Sequence, residues 1–148
     1  MNFYTTSTFR HTLATLTKKP KEGYTSVVKD ICKTLLAMDP GIIRDTNDRI
    51  KQYEDFRVVK LRLPNSGQHL SRPDGFRLIY YVSLISDDVA LLRIYPKRGP
   101  QGVIDIVDEE YDRLLVEMVT ENNSNSLHRV NINDSLAELS TSASMFKE

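Results

Sequence analysis

Three strand-like runs follow one another between Phe56 and Lys97: FRVVKLRL (56–63), GFRLIYYVSL (75–84) and VALLRIYPK (89–97). Each is dense in β-branched and aromatic side chains. Gly67 and the Pro73-Asp74-Gly75 turn separate the first pair, and Ser86-Asp87-Asp88 separates the second. Connections this short leave no room for a helical crossover, so the runs are expected to be antiparallel neighbours. A meander of this kind folds only if another layer covers at least one of its faces.

Candidates for that layer lie on both sides of the meander. After a short first strand, NFYT (2–5), Thr6 or Ser7 can cap a helix on which Phe9, Leu13 and Leu16 recur at helical spacing. KKPKEG (18–23) breaks it, and Tyr24, Val27, Val28, Ile31, Leu35 and Leu36 form a second stripe that stops at Pro40-Gly41. Residues 42–55 carry only weak helical periodicity, from Ile42 or Ile43 through Ile50 to Tyr53. Beyond the third run, GVIDI (102–106) reads as a short edge strand. DEEYDRLLVEMV (108–119) reads as a helix with acids in its first turn, where the helix dipole favours them. TENNSNSLHR (120–129) reads as a polar linker, and the rest, to Glu148, as a short helix capped by Asp134 or as disordered chain.

A length of 148 residues with 40% hydrophobic content suits one domain with a genuine core. The expected architecture is α+β, with two N-terminal helices on a small, mainly antiparallel sheet of roughly three to five strands and a C-terminal helix. Residues 1–120 would form this domain and 121–148 a polar extension. Zero net charge hides a division: residues 1–100 hold 17 Lys and Arg against 10 Asp and Glu, and residues 101–148 hold 3 against 10. A basic body with an acidic end suits binding to a polyanion, or masking of one half by the other.

Cys32, the single cysteine, excludes a disulfide framework and reads as a buried structural thiol. His11, His69 and His128 lack ligand spacing and no Gly-rich phosphate loop is present, so neither metal nor cofactor is expected. No apolar run is long enough to span a membrane, and MNFYTTSTFR lacks the pattern of a signal peptide. A soluble, cytoplasmic protein is the expectation.

Alternation along the strands divides the side chains between two faces. Val59, Leu61 and Leu63 oppose Lys60 and Arg62; Phe76, Leu78, Tyr80 and Val82 oppose Arg77, Ile79 and Tyr81; Leu92 and Ile94 oppose Leu91, Arg93, Tyr95 and Lys97. With the apolar sets against helices, Lys60, Arg62, Arg77, Tyr81, Arg93, Tyr95 and Lys97 would share a solvated face, with Arg98 just beyond. No Asp or Glu lies between Phe56 and Arg72 or between Phe76 and Ser86 to neutralise it. Cations interleaved with aromatic rings suit a single-stranded nucleic acid, and a solvated polar sheet face is the plainer reading.

KLRLPNSG (60–67), PDGFRLIYYV (73–82) and ALLRIYPKRG (90–99), in this order and spacing, resemble the RelE/ParE superfamily of bacterial toxin–antitoxin toxins. The likeness is greatest to its RelE/HigB-type mRNA interferases and covers roughly residues 3–120. It implies an endoribonuclease that cleaves mRNA in the ribosomal A site without a metal, through attack of a ribose 2′-OH on the adjacent phosphate. It also implies the ribosome, mRNA and a cognate antitoxin as partners. The reaction needs a base for the hydroxyl, an acid for the leaving oxygen and cations for the charge that builds on phosphorus.

On that resemblance Lys60, Arg62, Arg77, Tyr95 and Lys97 form the catalytic set, and Tyr81, Arg93 and Arg98 contact RNA. Arg77, after the Gly-aromatic pair, would clamp phosphate. Lys60 or Lys97 would act as the base, and Tyr95 or Tyr81 would donate a proton or stack on a nucleobase. The pattern departs from the family in two places. No tyrosine lies between Arg98 and Tyr111, and no histidine lies on the strands, His69 in the loop before Arg77 being nearest. The general acid is therefore unassigned. The alternatives are a ParE-like gyrase-poisoning toxin and an inactive RelE-like binding or repressor protein. The acidic C-terminal segment is expected either to be solvated or to lie over the basic face.

Overall fold

The computed structural model describes residues 1–46 and 49–146; residues 47–48 of the ambiguous 42–55 stretch and 147–148 of the C-terminal extension lie outside it. The strands are β1 (Asn2–Thr5), β2 (Arg49–Gln52), β3 (Phe56–Leu63), β4 (Phe76–Ser83), β5 (Asp88–Pro96), β6 (Leu127–Ile132) and β7 (Leu136–Ala143). The α-helices are α1 (Ser7–Thr17), α2 (Val27–Leu36), α3 (Pro40–Asp45) and α4 (Asp108–Asn123). All seven strands form one sheet in the order β2-β3-β4-β5-β1-β6-β7, with β1 parallel to β5 and the other pairs antiparallel.

The small sheet with a terminal helix is thereby corrected to a seven-stranded mixed sheet with four helices, and the chain runs from α4 into strands. The expected division at residue 120 falls inside α4, and the stretch beyond it is the hairpin β6–β7, paired to β1. Asp134 sits in the hairpin turn and caps no helix. GVIDI is irregular chain, tied back by bonds that include Val103 N to the Pro96 carbonyl, 3.0 Å. The ambiguous stretch supplies α3, capped by Asp39, whose carboxylate accepts from Ile42 N at 2.9 Å, and then β2.

Helices cover both faces of the central strands. Phe9, Val27, Ile31 and Leu35 pack on Leu61, Leu63, Phe76, Leu78, Tyr80 and Leu91 on one side. On the other, Tyr111, Leu114 and Met118 of α4 pack against Ile79, Tyr81, Ala90, Leu92 and Tyr95, joined by Leu127 and Met145. All eight residues of β4 are buried, the condition that near-continuous apolar strands report. A solvated cationic face over β4 and β5 does not exist, because α4 occupies it. Cys32, on the buried side of α2, has its thiol pushed up to about 11 by burial.

A bulge in β5 also changes the face assignment. Ile79 is opposite Arg93 and Tyr80 opposite Leu91, so Leu92 is an extra residue. Leu91 and Ile94 therefore face α1–α3, whereas Leu92 and Tyr95 belong to the α4 side. Leu91 and Leu92 exchange the places that strict alternation gives them.

Carboxylates set the position of α4. Glu117 accepts from Thr8 N (3.0 Å) and Thr8 Oγ1 (2.7 Å), and Glu121 from Ser7 N (3.1 Å). These are unpaired first-turn N–H groups of α1, at the positive end of its dipole. Thr6 completes the cap, its hydroxyl accepting from Phe9 N at 3.3 Å.

Candidate nucleic-acid interface

The strand register brings the cations together in rows. Arg62, Arg77 and Tyr95 lie side by side across β3, β4 and β5, and Lys60, Ile79 and Arg93 form the next row. Lys97 and Arg98 follow directly on β5, so six charged side chains gather toward one end of the meander. Tyr81 is farther along, between Val58 and Ala90. Arg72, which the motifs do not single out, sits exposed in the turn before β4.

Arg77 is only 6% exposed. Its Nη1 donates to the carbonyls of Arg72 (2.9 Å) and Phe76 (3.2 Å), and Nη2 to that of Pro73 (2.8 Å). Arg72–Asp74 is a single turn of 3-10 helix whose carbonyls need hydrogen-bond donors beyond those the turn itself supplies. The guanidinium is thus a brace inside the fold, a role that satisfies its buried charge with fixed dipoles. Gly75 makes the same corner possible: a Cβ there would stand 2.0 Å from the Leu63 carbonyl oxygen. Its own carbonyl accepts from Lys97 N at 2.9 Å, which ties the turn to the end of β5.

The other cations meet acceptors from outside the three strands. Lys60 Nζ is 3.5 Å from Asp105, Lys97 Nζ donates to the Ile104 carbonyl at 2.8 Å, and Arg98 donates twice to Asp74, at 2.9 and 2.7 Å. Arg93 lies 3.4 Å from Glu110 and 5.3 Å above the Tyr95 ring. Arg62 is exposed and makes no hydrogen bond or ion pair among the described residues. The Ile106 N–H holds the Asp105 carboxyl below its ordinary range, with Lys60 and Lys97 adding to the effect. The acids come from the loop after β5, from α4 and from the 72–74 turn, and counting carboxylates within the strands misses all of them.

The tyrosines are buried, Tyr95 to 3% and Tyr81 to 5% exposure. Tyr81 packs against Phe56 with ring centroids 5.0 Å apart. Neither ring is open for a nucleobase to stack on. Burial pushes the Tyr81 phenol up to about 12, and burial followed by Asp105 raises that of Tyr95. Both are weaker acids than a free phenol. Arg93 and Tyr95 also border a groove of about 240 Å³ with His11, Thr15, Gln101 and Val103. His69 is exposed in the Asn65–Leu70 turn, in a left-handed conformation with φ 55°.

Among the described residues, no three His, Cys, Asp or Glu side chains are grouped to hold a metal ion. Nor is any helix long and apolar enough to cross a membrane. Comparison with protein-family models, with curated proteins and with solved structures finds no match. The chemistry of the site therefore has to be argued from its own residues. Its exposed and half-buried cations, Lys60, Arg62, Arg72, Lys97 and Arg98, suit successive phosphates of a flexible strand.

Proposed function

We propose that this chain is a toxin of the RelE/ParE type, a cytoplasmic, ribosome-dependent endoribonuclease that binds mRNA at the Lys60–Arg98 end of its sheet. Cleavage proceeds by 2′-OH attack and requires no metal. One observation carries the reading: Lys60 and Arg62 of β3 converge with Lys97 and Arg98 of the segment directly after β5, where the three motif segments also lie. The order β1, α1–α3, β2–β5, α4 includes the helices, meander and following helix of the resemblance, with β2 and the hairpin β6–β7 added to it. In this reading Arg62, a strand cation without a protein acceptor among the described residues, meets the scissile phosphate, and Lys60 and Lys97 offset the charge that develops on it. Arg77 shapes the site from within. A cognate antitoxin neutralises the protein by presenting carboxylates to the same cations.

A second reading, a RelE-like protein that binds RNA without cutting it, is favoured by the burial and weakened acidity of Tyr81 and Tyr95. These are the candidate proton donors for the leaving oxygen. A gyrase poison, by contrast, has no use for a row of phosphate ligands.

Primer-extension mapping of mRNA in a reconstituted translation reaction tests the proposal with wild type, Lys60→Ala, Arg62→Ala and Lys97→Ala. Cuts at A-site codons that weaken at least tenfold in Arg62→Ala are expected, about the effect of removing one charged hydrogen bond to a transition state. An intact message on translating ribosomes overturns the nuclease, and retention of RNA by the uncut complex then selects the binding protein.

A further inference from the structure

The loop between β5 and α4 is held in two different ways. Its first half is fixed by Tyr24, whose hydroxyl donates to the Arg98 carbonyl (2.9 Å) and accepts from Gln101 N (3.0 Å). Gly99, at φ 86°, leaves room for that ring, since a Cβ there would lie 2.4 Å from the hydroxyl oxygen. The second half has few apolar anchors: Ile106 is buried, whereas Ile104 is 85% and Val107 66% exposed. Between Val103 and Ile106, what holds the chain over the sheet end is polar. Lys97 binds the Ile104 carbonyl and Lys60 faces the Asp105 carboxylate.

Resting on the RNA reading above, we propose that Asp105 is an internal stand-in for a phosphate, and that a phosphate of single-stranded RNA displaces it from Lys60, and the neighbouring Ile104 carbonyl from Lys97. Geometry and chemistry both support the exchange. The Lys60–Asp105 contact is long for an ion pair, and the Asp105 side chain is 67% exposed, so little packing opposes its departure. A phosphodiester offers the two lysines the same anionic oxygens from a chain that also reaches Arg62. The anchored half stays on Tyr24, and the packed Val103 and buried Ile106 confine the movement to residues 104–105. Self-masking thus comes from this loop and not from the C-terminal segment, which is built into the far end of the sheet as β6 and β7. The loop sets the affinity threshold that a strand must exceed, so an isolated oligonucleotide binds weakly and one held in place binds well.

Fluorescence anisotropy with a labelled oligouridylate, titrated over a range of salt, tests this on the full chain. The comparison is wild type, Asp105→Asn, and Asp134→Asn as an equal charge change in the distant hairpin turn. Asp105→Asn is expected to tighten binding about three- to tenfold, the scale of one or two surface charge contacts. It also steepens the salt dependence by about one further released counterion, with a slope of roughly −0.7 per phosphate contact for single strands. Asp134→Asn should leave both quantities at the wild-type value. Equal affinity and slope for wild type and Asp105→Asn would overturn the stand-in while leaving RNA binding in place. Binding by neither protein overturns the RNA reading and this inference with it. Matched thermal unfolding of the three proteins separates these outcomes from a loss of fold.

Discussion

Arg77 donates to the carbonyl of Arg72 at 2.9 Å and so fastens the start of β4 to the turn that leads into it. Replacing it with Ala leaves the carbonyls of Arg72 and Pro73 without that donor and opens a void beside Tyr95. A loss of about 2–4 kcal/mol in urea denaturation is expected. Arg77→Lys should restore only part of this, because one ammonium cannot span the arc of acceptors. A variant of unchanged stability that has lost RNA binding would return Arg77 to the role of phosphate ligand.

Gly75 is constrained by close approach. The backbone of Leu63, Pro64 and Asn65 lies within 2.0–2.7 Å of where its Cβ would be. Gly75→Ala must push β3 away from the turn and is expected to cost about 3 kcal/mol or more. A shifted denaturation midpoint with an unchanged slope is the signature to look for.

Glu117 ties α4 to the first turn of α1. Glu117→Ala removes two hydrogen bonds at a helix N-terminus and should destabilise by about 1–2 kcal/mol. For a chain of this size the melting temperature falls by roughly 2–6 °C. Glu117→Gln keeps one acceptor and should fall between the two. A melting temperature equal to wild type in Glu117→Ala would show that packing alone positions α4.

Burial raises the phenols of Tyr4, Tyr81, Tyr95 and Tyr111 in the folded chain. A folded-state value above the unfolded one stabilises the protein fully below the unfolded value, and the advantage is lost as pH rises through the folded value. For Tyr81 the window runs from the ordinary 10.0 to about 12. Denaturation midpoints should therefore fall steeply across that range, and Tyr81→Phe should flatten the fall. Tyr111 adds a separate expectation. Its hydroxyl is buried with no hydrogen-bond partner among the described residues, so Tyr111→Phe should be neutral or stabilise by up to about 1 kcal/mol at neutral pH.

Much of this arrangement is legible in the amino-acid order. The stripes Phe9–Leu16 and Val27–Leu35 are helices, and the three runs between Phe56 and Lys97 are antiparallel neighbours. The run LIYYV, apolar on both sides, already carries the sign of a strand covered twice, yet Arg77 draws attention to a solvated face that is absent. Local alternation cannot reveal that α4 returns over the sheet, nor that one extra residue at Leu92 reverses the facing of Leu91. The hairpin is hidden for a related reason: shifts in register on both sides of Arg129 break the period of two, and β7 has few large side chains. Among the candidate residues, strand spacing does bring Lys60, Arg62, Arg77 and Tyr95 together. It is silent on Asp74, Asp105 and Glu110, which reach these cations from segments whose paths depend on the whole fold.

The four residues of β1 are flanked by β5 on one side and β6 on the other, with partners such as Asp88 and Arg129 that are 86 and 127 positions away in the chain. During synthesis β1 emerges ahead of both its neighbours and therefore waits for them to find its place. Until β5 has been made, β1 has no neighbour to pair with, and until β6 follows it presents an open edge. The nascent chain thus passes through a period in which its meander can form while the strand that joins the two halves of the sheet is still unpaired. Sheet completion is timed by translation itself.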